Sequence, residues 1–379
     1  MNALVLGGTG PTGPFIVNGL LDRGYEVTIM HGGFHEVEFA GPVEDLHGDV
    51  HFRESLEATL GDRKFDLVLF MYGRLKVTAE FIIGRTPRFI AVGAAGGTAG
   101  PRDPRWGPLG RPVIVSDENR LPLESNAGGL GYLIQQANES VLDLHRAGHY
   151  SATIIAYPNM YGPRQMAPED WCIVRRILDG RRQIVIADGG LKIHQRAYTE
   201  NAAQAVLLAV DKPVEAAGEF FVAHEQPLYT IRQRIELIAR TMGVEVELVD
   251  MPYPLAKPAH YFSFHGPAHV VRDDSKIRRQ LGYTEKIEVG EAHVRTVQWL
   301  IEHRGEFQQE WEEQIDDVFD YPAEDELIRR WKTAYDDVAS IHVDGKSLAH
   351  RYRHPKAPGE AWHRPETTTS YSERPLEYY

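Results

Sequence analysis

The chain opens with "ALVLGGTGPTGPFIVNGLLDRG", an apolar run that breaks into glycines and resumes with helical spacing. Gly7, Gly10 and Gly13 make G-x-x-G-x-x-G, and Gly8, Gly10 and Gly13 make G-x-G-x-x-G. Both patterns fit a turn from strand to helix. An early glycine permits the turn, Gly10 lets backbone approach a pyrophosphate, and Gly13 lets the helix pack on the strand. The helix then presents free N–H groups and a positive dipole end to an anion. Thr9, Pro11 and Thr12 fill the remaining loop positions as cofactor neighbours. Such a turn belongs at the first strand of a parallel sheet.

The next segments supply that sheet. The runs "EVTIM", "VEDLHGD", "FDLVLFM", "RFIAVGA" and "SATIIAYPN" read as strands. They alternate with the helical patterns "RESLEATLG", "LKVTAEFIIG" and "GYLIQQANESVLDLHRAG". Regular alternation predicts an α/β fold: a Rossmann-like doubly wound parallel sheet covered on both faces. Residues 96–131, rich in Gly, Pro and Arg, read as a long loop, functional or mobile. Beyond residue 162 short strands and helices alternate less regularly, which suits a smaller α+β substrate-binding domain. The expected division is 1–165 for the dinucleotide-binding domain, with parts of 196–225 returning to it. Residues 166–304 are then mainly substrate-binding, and 305–379 form a C-terminal helical extension and an extended arm.

The adenosine half of the site reads less simply. An acid at the end of the second strand usually holds the ribose hydroxyls. Here the place reads Met30-His31-Gly32-Gly33, with no acid and no Arg. The missing acid favours NADP over NAD. His31 is a candidate for adenine or phosphate contact, and equally a plain loop histidine. Asp49 and Val50 are candidates for the adenine amine. In "MYGRLKVTAE", Tyr72 and Lys76 have the i, i+4 spacing of a catalytic pair. However, Tyr72 ends a strand and Lys76 begins the next helix. The two are therefore not a full turn apart on one helix.

A formal charge of −13 disfavours a nucleic-acid or anionic-membrane partner. The longest apolar runs fall short of a membrane span. Cys172 is the one cysteine, so neither an internal disulfide nor a cysteine-rich metal site is expected. A cytoplasmic protein with no metal is the reading that follows.

Five motifs in order carry a resemblance: "GGTGPTG", "GDV", "YPNMYGPRQ", "HQRAYTENAAQAVLLAV" and "DDSKIRRQLGY". From residue 1 to about 304 the chain resembles an extended short-chain dehydrogenase/reductase of the NAD-dependent epimerase/dehydratase family. The resemblance implies a homodimer and a small-molecule substrate. It places Met71, Tyr72, Gly73, Gly93, Tyr132, Gln136, Tyr157, Pro158 and Asn159 beside the cofactor, and Ala94, Asn159, Arg164, Arg196 and Arg272 beside the substrate. Its catalytic set is Ser or Thr, Tyr and Lys. Tyr132 takes the Tyr position, Gln136 stands for Lys, and the Ser position falls in Gly93-Ala94-Ala95. Thr98 or Tyr161 is the substitute hydroxyl, and His194 is the reserve base. A Lys would lower the Tyr pKa by its charge, whereas Gln offers only a hydrogen bond. Tyr132 with Gln136 is thus an acid and a poor base.

The implied activity is oxidoreduction of a small hydroxy or keto compound, or a redox-neutral sequence through a transient ketone: epimerisation, elimination or bond cleavage. A dinucleotide-binding sensor that has lost the chemistry is the alternative. "HYFSFHGPAH", with His260, His265 and His269, reads as packing or a substrate wall rather than a metal site.

Overall fold

A strand that is apolar at every position has to be covered on both faces. β1 (Asn2–Leu6) is such a strand from Ala3 onward. In the computed structural model, which describes residues 1–71, 73–94, 114–115, 129–262, 268–342 and 358, it lies inside a seven-stranded parallel sheet. The elements follow in order: α1 (Gly13–Asp22), β2 (Glu26–His31), β3 (Val43–His47), α2 (Arg53–Leu60), β4 (Leu67–Phe70), α3 (Leu75–Phe81), β5 (Arg88–Ala94), β6 (Ile114–Val115), α4 (Leu130–Arg146) and β7 (Ser151–Tyr157). Then come β8 (Asn159–Tyr161), α5 (Trp171–Leu178), β9 (Gln183–Ala187), β10 (Arg196–Tyr198), α6 (Thr199–Asp211), β11 (Glu219–Val222), α7 (Ile231–Thr241), β12 (Glu247–Met251), β13 (Val271–Arg272), α8 (Ser275–Leu281), α9 (Val289–Gln314) and α10 (Tyr321–Ala339).

The sheet order is β11-β7-β5-β4-β1-β2-β3. Alternation along β1 sends Leu4 and Leu6 to one core, with Leu56, Leu60, Phe81, Val141 and Leu142 of α2, α3 and α4. Ala3 and Val5 face the other, with Ile16, Val17 and Leu20 of α1, Val206 of α6 and Ile277 of α8. β11 pairs with β7 in parallel, so "EFFV" is the outer strand of the main sheet. Three smaller parallel pairs, β8 with β10, β9 with β12 and β6 with β13, lie outside it. α7 begins with a capping box between Thr230 and Gln233.

The chain divides into two compact units, residues 1–319 and 320–379. In the second, α10 is capped by Asp320, whose carboxylate accepts from the Ala323 N–H at 3.1 Å. No helix is long and apolar enough to cross a membrane among the described residues.

The expected division at residues 304 and 305 falls inside a helix: α9 runs for 26 residues through Gly305. A Cβ added at Gly305 would meet no atom within 4 Å. Gly305→Ala is therefore expected to stabilise the protein by about 0.5–1 kcal/mol, seen as a higher urea midpoint. A fall in the midpoint would contradict it.

Candidate functional site

In an open parallel sheet the ligand crevice lies beyond the carboxyl ends of the strands, where the strand order reverses. Here that point is between β1 and β4. The glycine loop leaves β1 there, and the Gly7 N–H donates to the Met30 carbonyl at 2.9 Å. Gly7 and Gly8 both have positive φ, 103° and 98°. A Cβ at Gly13 would sit 2.1 Å from the Gly8 carbonyl oxygen, so α1 starts hard against the loop. A Cβ at Gly10 would meet nothing within 4 Å, so the middle of the loop faces open space. That is a cradle with the shape a pyrophosphate requires.

The other cofactor candidates come to the same edge. Met71 and Gly73 follow β4, Gly93 and Ala94 end β5, and Tyr157 and Pro158 end β7. Gly73 has φ 115°, and a Cβ there would stand 2.9 Å from the Val50 carbonyl oxygen. The Asp49 carboxylate accepts from the His51 backbone N–H and ring, which hold it below its ordinary pKa. The Tyr157 hydroxyl donates to the Ala202 carbonyl at 3.0 Å, tying β7 to α6. Tyr72 and Thr98 lie outside the described residues, as does His265. Lys76 is exposed in the first turn of α3.

His31 ends β2, buried, with Nε2 2.9 Å from Asp45. His47 lies edge-on to it at 5.0 Å. The ligand atoms of His31, Asp45 and His47 fall within 4.8 Å of one another, which a cation site would need. The Gly33 N–H donates to His31 Nδ1 at 3.2 Å. That leaves the ring proton on Nε2, directed at Asp45, where a metal would need a lone pair. The group is a hydrogen-bonded end to β2 and β3.

On α4, Gln136 Nε2 donates to the Tyr132 hydroxyl at 2.6 Å. The pair shares one helix face, with the phenol oxygen as acceptor. Asn138 Nδ2 donates to the Ala94 carbonyl at 3.1 Å, fixing α4 over the end of β5.

Several expected site residues are placed differently. Tyr161 is 1% exposed, stacked on His293 at 4.4 Å, and its hydroxyl donates to Glu225 at 2.9 Å. It is a core residue and offers no hydroxyl to a crevice. His194 is buried on a bridge to Val270. Arg196 is neither an open anion site nor a surface ion pair. It is buried, with Nη1 donating to both Asp170 oxygens at 3.0 Å. Asn159 Nδ2 donates to Glu169 at 2.7 Å. The backbone N–H of Arg272 donates to Gln195 and its carbonyl accepts from His224. In "HYFSFHGPAH", His260 stacks on Tyr253 and His269 accepts from the Ile193 N–H.

These residues frame a buried charge cluster absent from the sequence reading. Asp170 also accepts from Arg234 at 2.7 Å. Burial pushes the Asp170 carboxyl up, but Arg196 and Arg234 more than reverse this and hold it well below its usual value. Burial lifts Glu225 to about 8 and drops His293 to about 3, so both are neutral near pH 7. Burial likewise lowers Lys192 to about 8.

A second feature also escaped the sequence reading. A cleft of about 560 Å³ opens above Thr9 and Gly10. Its walls are residues 34–36 after β2, residues 164–166 after β8, and the face of α9 carrying Trp299, His303, Phe307 and Trp311. Arg164 lies exposed there with φ 64°, an unusual backbone for a residue with a side chain. Among the described residues its guanidinium has no ion-pair or hydrogen-bond partner. The four-residue spacing in "WLIEHRGEFQQEW" is the signal that would have found this face.

Residues 132–223, from Tyr132 through β11, match the model of the NAD dependent epimerase/dehydratase family. That segment is similar to an epimerase/dehydratase domain. The rest of the sheet has the same fold. UDP-glucose 4-epimerase of Thermotoga maritima, solved with UDP-glucose, superposes with TM-score 0.64 at 20% identity, over 80% of this chain and 99% of its own. dTDP-glucose 4,6-dehydratase of Bacillus anthracis, solved with NAD, gives 0.62 at 16% identity, over 82% of this chain and 99% of its own. The protein y4nL of Sinorhizobium fredii is 23% identical, covering 78% of this chain and 88% of its own length. The epimerase/dehydratase match ends before α9 begins.

Proposed function

We propose that the protein is an enzyme of the epimerase/dehydratase type that holds a nicotinamide dinucleotide on its glycine loop and acts on a small hydroxy or keto compound. The observation that carries this reading is the cradle: Gly13 packed against Gly8, and Gly10 open, at the reversal point of the sheet. The solved relatives, one with NAD and one with UDP-glucose, support the same class. When bound, the nicotinamide supplies hydride acceptance and return.

The chain's own residues supply the rest. Residues 7–13 offer backbone N–H groups and the α1 amino terminus to the pyrophosphate. Tyr132, its oxygen accepting from Gln136, donates its proton to a substrate carbonyl oxygen or takes one back from a hydroxyl. Gln136 orients the phenol without adding charge, so the set is stronger as acid than as base.

The test has two parts. Titration with NAD(H) and NADP(H), followed by fluorescence, is expected to show binding by at least one; no binding below millimolar ends this reading. Tyr132→Phe is expected to lower kcat by about 10²–10⁴-fold with dinucleotide affinity unchanged. Binding with unaltered turnover in that variant would take Tyr132 out of the mechanism. Binding with no turnover on hydroxy and keto compounds by the unmodified protein would favour a dinucleotide sensor.

A further inference from the structure

We propose that residues 299–311 of α9 are a fixed additional wall of the dinucleotide crevice, one that receives the adenosine ribose and bars a 2′-phosphate. This inference rests on the dinucleotide reading above and names which dinucleotide.

The wall starts from spacing. Trp299, His303, Phe307 and Trp311 recur every four residues, so one helix face carries all four rings. The rings lie against one another: Trp299 and His303 stack at 4.5 Å, and Phe307 and Trp311 at 6.0 Å. The His303 ring is held by the Trp299 carbonyl at 3.0 Å. The four rings form one compact cluster, with Trp299 and Trp311 tilted at 48° and 5.7 Å apart.

The wall is also anchored. Trp311 packs on Trp171 of α5 with ring centres 5.1 Å apart. Trp171 Nε1 and Arg175 both donate to Glu312. Just beyond, Arg176 and Asp317, each 1% exposed, form a buried ion pair at 2.5 Å. The wall is therefore part of the folded body.

Its position selects the ligand part. The same cleft is lined by Gly10 and by Phe34, His35 and Glu36. Gly10 is the pyrophosphate position, and the segment after the second strand is where a dinucleotide's adenosine ribose lies in this topology. Phe34 is 87% exposed, an apolar ring held at the mouth of the cleft.

Charge decides between the two dinucleotides. The cleft carries Glu36, Glu306 and Glu310 against one cation that has no partner among the described residues, Arg164. Carboxylates accept hydrogen bonds from ribose hydroxyls and repel a dianionic phosphate. Arg164, on the β8 side of Gly10, is left for the pyrophosphate. The acid that β2 lacks is thus supplied by the following loop and by α9.

The test needs no turnover. Binding of NAD+ and of NADP+ to the full chain is measured by calorimetry and by tryptophan emission. NAD+ is expected to bind at least about tenfold more tightly than NADP+ and to quench emission through Trp299. The double variant Glu36→Gln, Glu310→Gln is expected to narrow that ratio at least about threefold, mainly by improving NADP+. Phe307→Ala is expected to weaken both, with the ratio kept. Equal or tighter binding of NADP+ overturns the inference, as does a ratio unmoved by the double variant. If neither dinucleotide binds, the proposed function fails as well, so the two failures are distinct.

Discussion

Asp170→Ala is expected to lower stability by about 3–5 kcal/mol. Asp170 is 2% exposed and is the shared acceptor of Arg196 and Arg234, themselves 3% and 4% exposed. Removing it leaves two guanidiniums buried, and the remaining neighbour Glu169 reaches Arg234 only at 3.7 Å. Burial lifts the Glu169 carboxyl above its ordinary value, so it is a weak substitute. The damage is spread over three elements, because Asp170 precedes α5, Arg196 lies in β10 and Arg234 in α7. Urea denaturation followed by tryptophan emission reads the effect directly, since Trp171 adjoins the site. Glu326→Ala, which breaks the exposed pairs with Arg329 and Arg330, is the control and is expected to leave the midpoint unchanged. Equal midpoints for Asp170→Ala and the unmodified protein would show that the cluster adds no stability.

Two substitutions in the glycine loop are expected to separate folding from binding. Gly13→Ala places a methyl 2.1 Å from a backbone oxygen, which no side-chain motion relieves. Overpacking of this kind costs about 1–3 kcal/mol, and α1 must shift away from β1 to accommodate it. Both the urea midpoint and dinucleotide affinity should fall. Gly10→Ala meets no protein atom, so the free protein should keep its midpoint. Its methyl instead occupies the space where the pyrophosphate approaches, and affinity alone should fall, by about tenfold or more. A Gly10→Ala protein with full dinucleotide affinity would move the ligand off this loop.

The sheet was legible because its strands obey simple rules. "RFIAVGA" is apolar and bounded by turn residues, and it is β5 to the residue. The glycine loop was legible because steric demand at Gly13 leaves a mark in sequence. The buried cluster was not, because charge burial has no local signature: Asp170, Arg196 and Arg234 are 26 and 64 residues apart from partner to partner. Tyr161 and Arg196 sit in motifs that resemble a family's substrate contacts, and sequence order does not report that both side chains turn into the core. A division placed at Gly305 falls inside α9 because a glycine inside a helix looks like a break between segments. Helices tolerate a single glycine when the turns on either side are pinned, here by stacked rings and by Glu312.

α9 also bears on traffic. The cleft beside Gly10 has one wall fastened to α5 through Trp171, Arg175 and Glu312. Gly305 lies between Trp299 and Trp311 in an unbroken helix, with the turns on either side pinned. An occupant of the cleft would thus meet, on this side, a wall that does not yield.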